Sequence, residues 1–226
     1  MEKYRIDRKF ISHKREPFFD IAKKYIKPYS KVLDIGGGDG FFADYCNRND
    51  FFIFDSNKEG INKLQESFPN SVFGHLPLLP FKNNFFDIIH CSHIFEHLEP
   101  SEFYDSLKEI NRCLSPKGHL VISGPLFWEG FYNDLSHVKP YYPFIFQKYL
   151  CGNDLNSLTR SPISKSYIQK ELIYRYREKP VFNNLSFRKR NLFVLLTLKF
   201  FYLLNSLGLR KYEKTGFTLV LEKTPE

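Results

Sequence analysis

Short apolar runs alternate along the chain with segments whose apolar positions recur every three or four residues. The runs at 31–35, 51–55, 71–73, 86–91 and 119–123 are strand-like. The periodic segments at 16–26, 41–47, 60–68 and 101–114 predict helices. Pro17 sits near the first turn of the first helix, where its missing N–H costs nothing. Ser115-Pro116-Lys117-Gly118 stops the last. Regular alternation of buried strand and helix predicts an α/β fold with a parallel, doubly wound sheet. The pattern changes after about residue 125, and 151–186 is the least legible stretch, with room for one more strand and an inserted helix. Residues 216–223 close the chain as a last strand.

Composition adds limits to that picture. A chain of 226 residues with 42% hydrophobic and 26% charged residues is globular and long enough to bury its own core. Charge is unevenly placed: residues 1–138 carry net −2, whereas 139–226 carry net +10. That basic half suits an anionic substrate, an anionic membrane surface or nucleic acid, or is simply a solvated face. The four cysteines at 46, 91, 113 and 151 have neither disulfide-framework nor zinc-ribbon spacing. Reduced thiols and a cytoplasmic location are the expectation, because Met1–Phe10 is charged and has no signal-peptide core.

The strongest chemical signal is Val32-Leu33-Asp34-Ile35-Gly36-Gly37-Gly38-Asp39-Gly40, an apolar strand running into a glycine turn that opens a helix. Glycine lets a ligand lie against the backbone, and a helix start offers free N–H groups. A dinucleotide site wants G-x-G-x-x-G, but here Phe41 stands where the last glycine belongs. Asp34 and Asp39 would repel a pyrophosphate and favour a ligand carrying positive charge. S-adenosylmethionine fits, with its sulfonium, ammonium and single carboxylate. Asp55 ends the next strand, where its carboxylate can accept two hydrogen bonds from ribose hydroxyls.

On VLDIGGGDG, FIFDSN and LPLLPFKNNFFDIIHCSHIFEHL, the chain resembles the class I S-adenosylmethionine-dependent methyltransferases. Within them it is similar to the ubiquinone/menaquinone-type and cell-envelope glycan-type enzymes. The match runs well over 18–125 and loosely over 216–223. The resemblance implies a mostly parallel, seven-stranded Rossmann-like sheet with an antiparallel last strand and a helical C-terminal insertion. It divides the chain into a cofactor-binding core at 1–150, an insertion at 151–215 that caps the substrate or faces a membrane, and a last strand at 216–226. It also implies that Asp34, Gly36, Gly37, Gly38 and Gly40 line the methionine part of the cofactor and that Asp55 holds the ribose. Ser56 and Asn57 would lie near the adenine, with Leu76 facing it. His75 stands where the family has an acid. Cys91 and Ser92 would approach from the other side.

Other constellations compete. His93-Ile94-Phe95-Glu96-His97 spells H-x-x-E-H, which on a helix could bind zinc with Glu96 as base. The run begins directly after a buried strand and lacks an evident third ligand, so no metal is expected. His90, inside that strand, reads as a packed core histidine. A base-modifying nucleic-acid enzyme would carry Asn/Asp-Pro-Pro-Tyr after the fourth strand, where this chain has Cys91-Ser92-His93-Ile94, so nucleic acid is a poor fit. A cofactor-binding or membrane-associated scaffold without activity is the alternative from a different class.

The loop at 124–140 follows the fifth strand, where ligands bind in such sheets. It offers His137 as a base for a hydroxyl acceptor, with Asp134 orienting it or binding substrate. The expected reaction is O-methylation of a sugar, glycan or lipid-like acceptor; His137 packing the next helix is the plain alternative. Residues 187–209 predict an amphipathic helix with a broad apolar face and basic flanks at Arg188-Lys189-Arg190 and Arg210-Lys211. Lys199 at its middle argues against a membrane span. It caps the pocket, pairs with another subunit, or lies in a membrane interface through 187–211.

Overall fold

The computed structural model describes residues 6–152, 159–180 and 192–225. Seven strands form one sheet: β1 (Val32–Ile35), β2 (Phe52–Asp55), β3 (Ser71–Phe73), β4 (Phe86–Ser92), β5 (Leu114–Pro125), β6 (Tyr167–Pro180) and β7 (Arg210–Lys223). Their order is β3-β2-β1-β4-β5-β7-β6. The first five run parallel. β7 inserts antiparallel between β5 and β6. The order reverses between β1 and β4, and such a switch point opens a crevice at the carboxyl ends of the strands.

Alternating strand positions feed two cores. Leu33 and Ile35 of β1 join Ile89, Cys91, Leu120 and Ile122 on one face, which α4 (Pro100–Cys113) and α5 (Pro143–Leu150) cover. Val32 faces the other way with Ile53, Ile88 and Val121, under α1 (Glu16–Lys23), α2 (Phe41–Tyr45) and α3 (Lys58–Leu64). Phenylalanine supplies much of the filling, with Phe51, Phe54, Phe86, Phe131 and Phe146 almost wholly buried. Each such ring contributes a few kcal/mol of burial. α4 starts on a capping box in which Glu99 and Glu102 reciprocally satisfy each other's backbone N–H groups.

The stretch at 151–186 holds β6, a full edge strand that its sequence disguises. YIQKELIYRYREKP alternates poorly because every residue from Glu171 to Arg177 is only partly covered. Its charged side chains protect an open sheet edge. β7 begins at Arg210, earlier than expected, because its first half pairs with β6 beyond the end of β5. The expected insertion at 151–215 therefore contributes β6 and the start of β7 to the sheet as well as helix. α6 (Leu192–Ser206) occupies part of the predicted 187–209 helix; residues 187–191 lie outside those described. Among the described residues no helix is long and apolar enough to cross a membrane.

Candidate active site

A cleft of about 480 Å³ opens at the carboxyl ends of β1, β2 and β4, within the usual range for small-molecule sites. Gly36, Asp55, Ser56 and Leu76, four of the expected cofactor residues, lie on its wall. Gly36 has φ +68°, and a Cβ there would fall 1.8 Å from Ile94 Cδ1, so only glycine lets the turn pass beneath that side chain. Gly38 has φ +57° and nothing within 4 Å of where a Cβ would stand, which leaves backbone open to a ligand. Asp55 is held ready: Oδ2 accepts from Gly38 N–H at 3.0 Å and Oδ1 from Asn57 N–H at 2.8 Å. The second lone pair of each oxygen remains for hydroxyls.

Other expected residues take different places. Asp34 does not line the cleft; it is 3% exposed. Its side chain alternates away from Leu33 and Ile35, so Oδ1 accepts from His90 Nδ1 at 2.7 Å. Oδ2 lies 2.9 Å from where a Cβ on Gly37 would stand. The pair underpins the turn from behind. His90 is indeed a core residue, packed on Phe42 with ring centroids 4.0 Å apart. Cys91 is fully buried, which pushes its thiol well above the usual range, and it does not line the cleft. Ser92 stands half-buried at the end of β4. Asp39 is exposed and accepts from Phe41 N–H at the start of α2. Gly40 fixes the turn against Phe68.

The cleft also has a histidine wall that the sequence offered only as a zinc pattern. His93 and His97 both line it. They do not share a helix face, because the segment is a single 3-10 turn at Phe95–His97 after a left-handed His93 (φ +58°). His93 Nδ1 donates to the buried Glu96 Oε1 at 3.0 Å. The Glu96 carbonyl accepts from Val138 and Lys139 N–H, at 2.8 and 3.3 Å, and so ties down the loop after β5. This brings His137 beside His97, ring centroids 5.0 Å apart. His137 Nδ1–H donates to the Phe131 carbonyl at 2.6 Å, leaving Nε2 as the proton acceptor. Asp134 is not the group that orients it. Its Oδ1 accepts from Ser136 N–H and Oγ–H, which holds the carboxyl below its usual range, and Oδ2 lies 4.0 Å from His137 Nε2. Glu96, His97 and His137 place ligand atoms within 4.8 Å of one another and so could hold a metal ion. This trio differs from the H-x-x-E-H reading: His93 is not part of it, and His137 comes from the loop after β5.

Among the described residues no lysine or arginine lines this cleft, while Asp55 and Glu102 do. With two carboxylates on its wall, the cleft is a better electrostatic match for a cationic nucleoside than for a polyphosphate. With the open backbone at Gly38 and the fixed Asp55 carboxylate, the residues present fit S-adenosylmethionine. Sheet order, glycine turn and acidic β2 end together define a class I methyltransferase. A family model described as "Methyltransferase domain" matches residues 2–143, and the chain belongs to that family. The family and fold imply S-adenosylmethionine as cofactor. The fold is shared with solved S-adenosylmethionine-dependent methyltransferases. One from Archaeoglobus fulgidus superposes with a TM-score of 0.56 at 19% identity, over 92% of this chain and 97% of that one. One from Aquifex aeolicus gives 0.55 at 17% identity, over 96% of each chain. An uncharacterized protein of Methanocaldococcus jannaschii, MJ0638, is 31% identical over 93 residues, spanning 40% of this chain and 39% of that protein.

Proposed function

We propose that this methyltransferase acts on the hydroxyl oxygen of a sugar, glycan or lipid-linked acceptor, with His137 Nε2 as the base. The observation that carries this reading is the fixed tautomer of His137 beside the cleft wall. The bound cofactor supplies a methyl group already activated on a sulfonium. The chain's own work is to align the acceptor, exclude water and remove one proton. Asp55 and the Gly36–Gly38 backbone hold the donor, and the apolar Ile94 and Leu98 limit water. The Asp134 carboxylate lies 4.0 Å from the Nε2 that would take up the proton. On this reading treatment with EDTA leaves methyl transfer unchanged. Loss of turnover that Zn²⁺ restores would reassign Glu96, His97 and His137 as a metal centre.

A lipid-linked acceptor is favoured by α6. Leu196, Phe200, Leu203 and Leu207 follow one another at helical spacing and are 57%, 56%, 53% and 70% exposed. Lys199 and Lys211 are exposed beside them, within the basic half of the chain. An apolar stripe with cationic residues suits the interface of an anionic bilayer, which supports a peripheral membrane contact as part of this proposal. The protein is expected to co-sediment with phosphatidylglycerol vesicles far more than with phosphatidylcholine vesicles. A Leu196→Glu/Phe200→Glu variant should stay in the supernatant. Absence of the wild type from both pellets refutes the membrane contact.

A further inference from the structure

Among the described residues, Arg175 of β6 makes no ion pair and only one long side-chain hydrogen bond. It stands opposite Gly216 of β7. Its guanidinium lies over the Phe18 ring at the start of α1, 4.5 Å from the centroid. Its Nε is fully covered and has no hydrogen-bond partner among the described residues. Nη1 makes one long contact, 3.5 Å, to Nε2 of His93. His93 already spends its Nδ1–H on Glu96, so it accepts from the arginine and brings no charge of its own. Five donors around a partly buried guanidinium, with one loose acceptor, leave most of its hydrogen-bonding capacity unspent. A second cation, Arg15, is close enough to help push the Arg175 guanidinium below its usual range, after burial and against Glu96.

Resting on the methyltransferase reading above, we propose that Arg175 is an oxyanion-binding residue of the acceptor site, reached past His93 from the cofactor cleft. The acceptor class that follows carries a carboxylate or phosphate beside the hydroxyl to be methylated. The planar fork matches either group in bidentate fashion. The cofactor's own carboxylate has the same chemistry, so the test separates the two sources.

Calorimetry on the full chain, saturated with S-adenosylhomocysteine, uses inorganic phosphate as the probe. Wild type is expected to bind it, Arg175→Gln to bind about tenfold more weakly or not at all, and Arg175→Lys to fall between. Titrations with S-adenosylhomocysteine and with 5′-methylthioadenosine, which lacks the amino-acid tail, assign the source. Unchanged affinity for both supports the acceptor's anion. Weakened S-adenosylhomocysteine with unchanged 5′-methylthioadenosine assigns the residue to the cofactor carboxylate instead and overturns the acceptor role. A wild type that does not bind phosphate, or an Arg175→Gln variant equal to wild type in every titration, overturns the oxyanion site altogether. Thermal melts check that both variants are folded. A wild type that binds phosphate but never methylates hydroxyl acceptors would sink the O-methylation reading alone.

Discussion

Replacing His137 with glutamine is expected to lower turnover by about 10²–10⁴-fold, the usual contribution of a positioned base. Affinity for S-adenosylhomocysteine should stay unchanged. Glutamine can keep a hydrogen bond to the Phe131 carbonyl, which His137 Nδ1 now makes at 2.6 Å, so the loop keeps its shape while the proton acceptor is lost. The discriminating measurement is single-turnover methyl transfer, which separates the chemical step from cofactor binding. Asp134→Asn should have a much smaller effect, because Asp134 is exposed and 4.0 Å from the ring. Wild-type rates in His137→Gln, with cofactor affinity intact, remove the histidine from the mechanism.

Asp55→Ala is expected to weaken cofactor binding on the order of 100-fold, the loss of two hydrogen bonds to a charged acceptor. It also frees Gly38 and Asn57, whose N–H groups Asp55 now receives. Because its carboxylate is at the cleft wall and not in the core, the apo protein should melt close to wild type. The readout is the upward shift in melting temperature with S-adenosylhomocysteine, which follows mass action and should nearly vanish at concentrations that saturate wild type. An undiminished shift would place the ribose elsewhere.

How much of this was legible depended on whether the signal was local. The glycine turn, its strand and the acid that ends β2 lie within a short span, and backbone geometry at Gly36 and Gly38 follows from residue type. Asp34 was harder. A strand's two faces differ by one residue, and the sequence alone did not show that His90, which sits beside it across β1 and β4, takes its carboxylate. His93 and His97 were visible as a pattern, but their meaning depended on a 3-10 turn where a helix would have been needed for zinc spacing. His137 meets His97 only because the Glu96 carbonyl anchors Val138 and Lys139, a backbone contact that leaves no trace in side-chain pattern. β6 was obscured because an edge strand with exposed charges lacks the apolar alternation that marks a half-buried one.

The pairing of β6 with β7 runs past the end of β5 and closes at Pro180 opposite Arg210. The ends of the segment between them therefore already sit as neighbours across a ladder. α6 lies in the segment between those paired ends. Because the ladder already joins those ends, what lies between them is expected to tolerate replacement with the β6–β7 register intact.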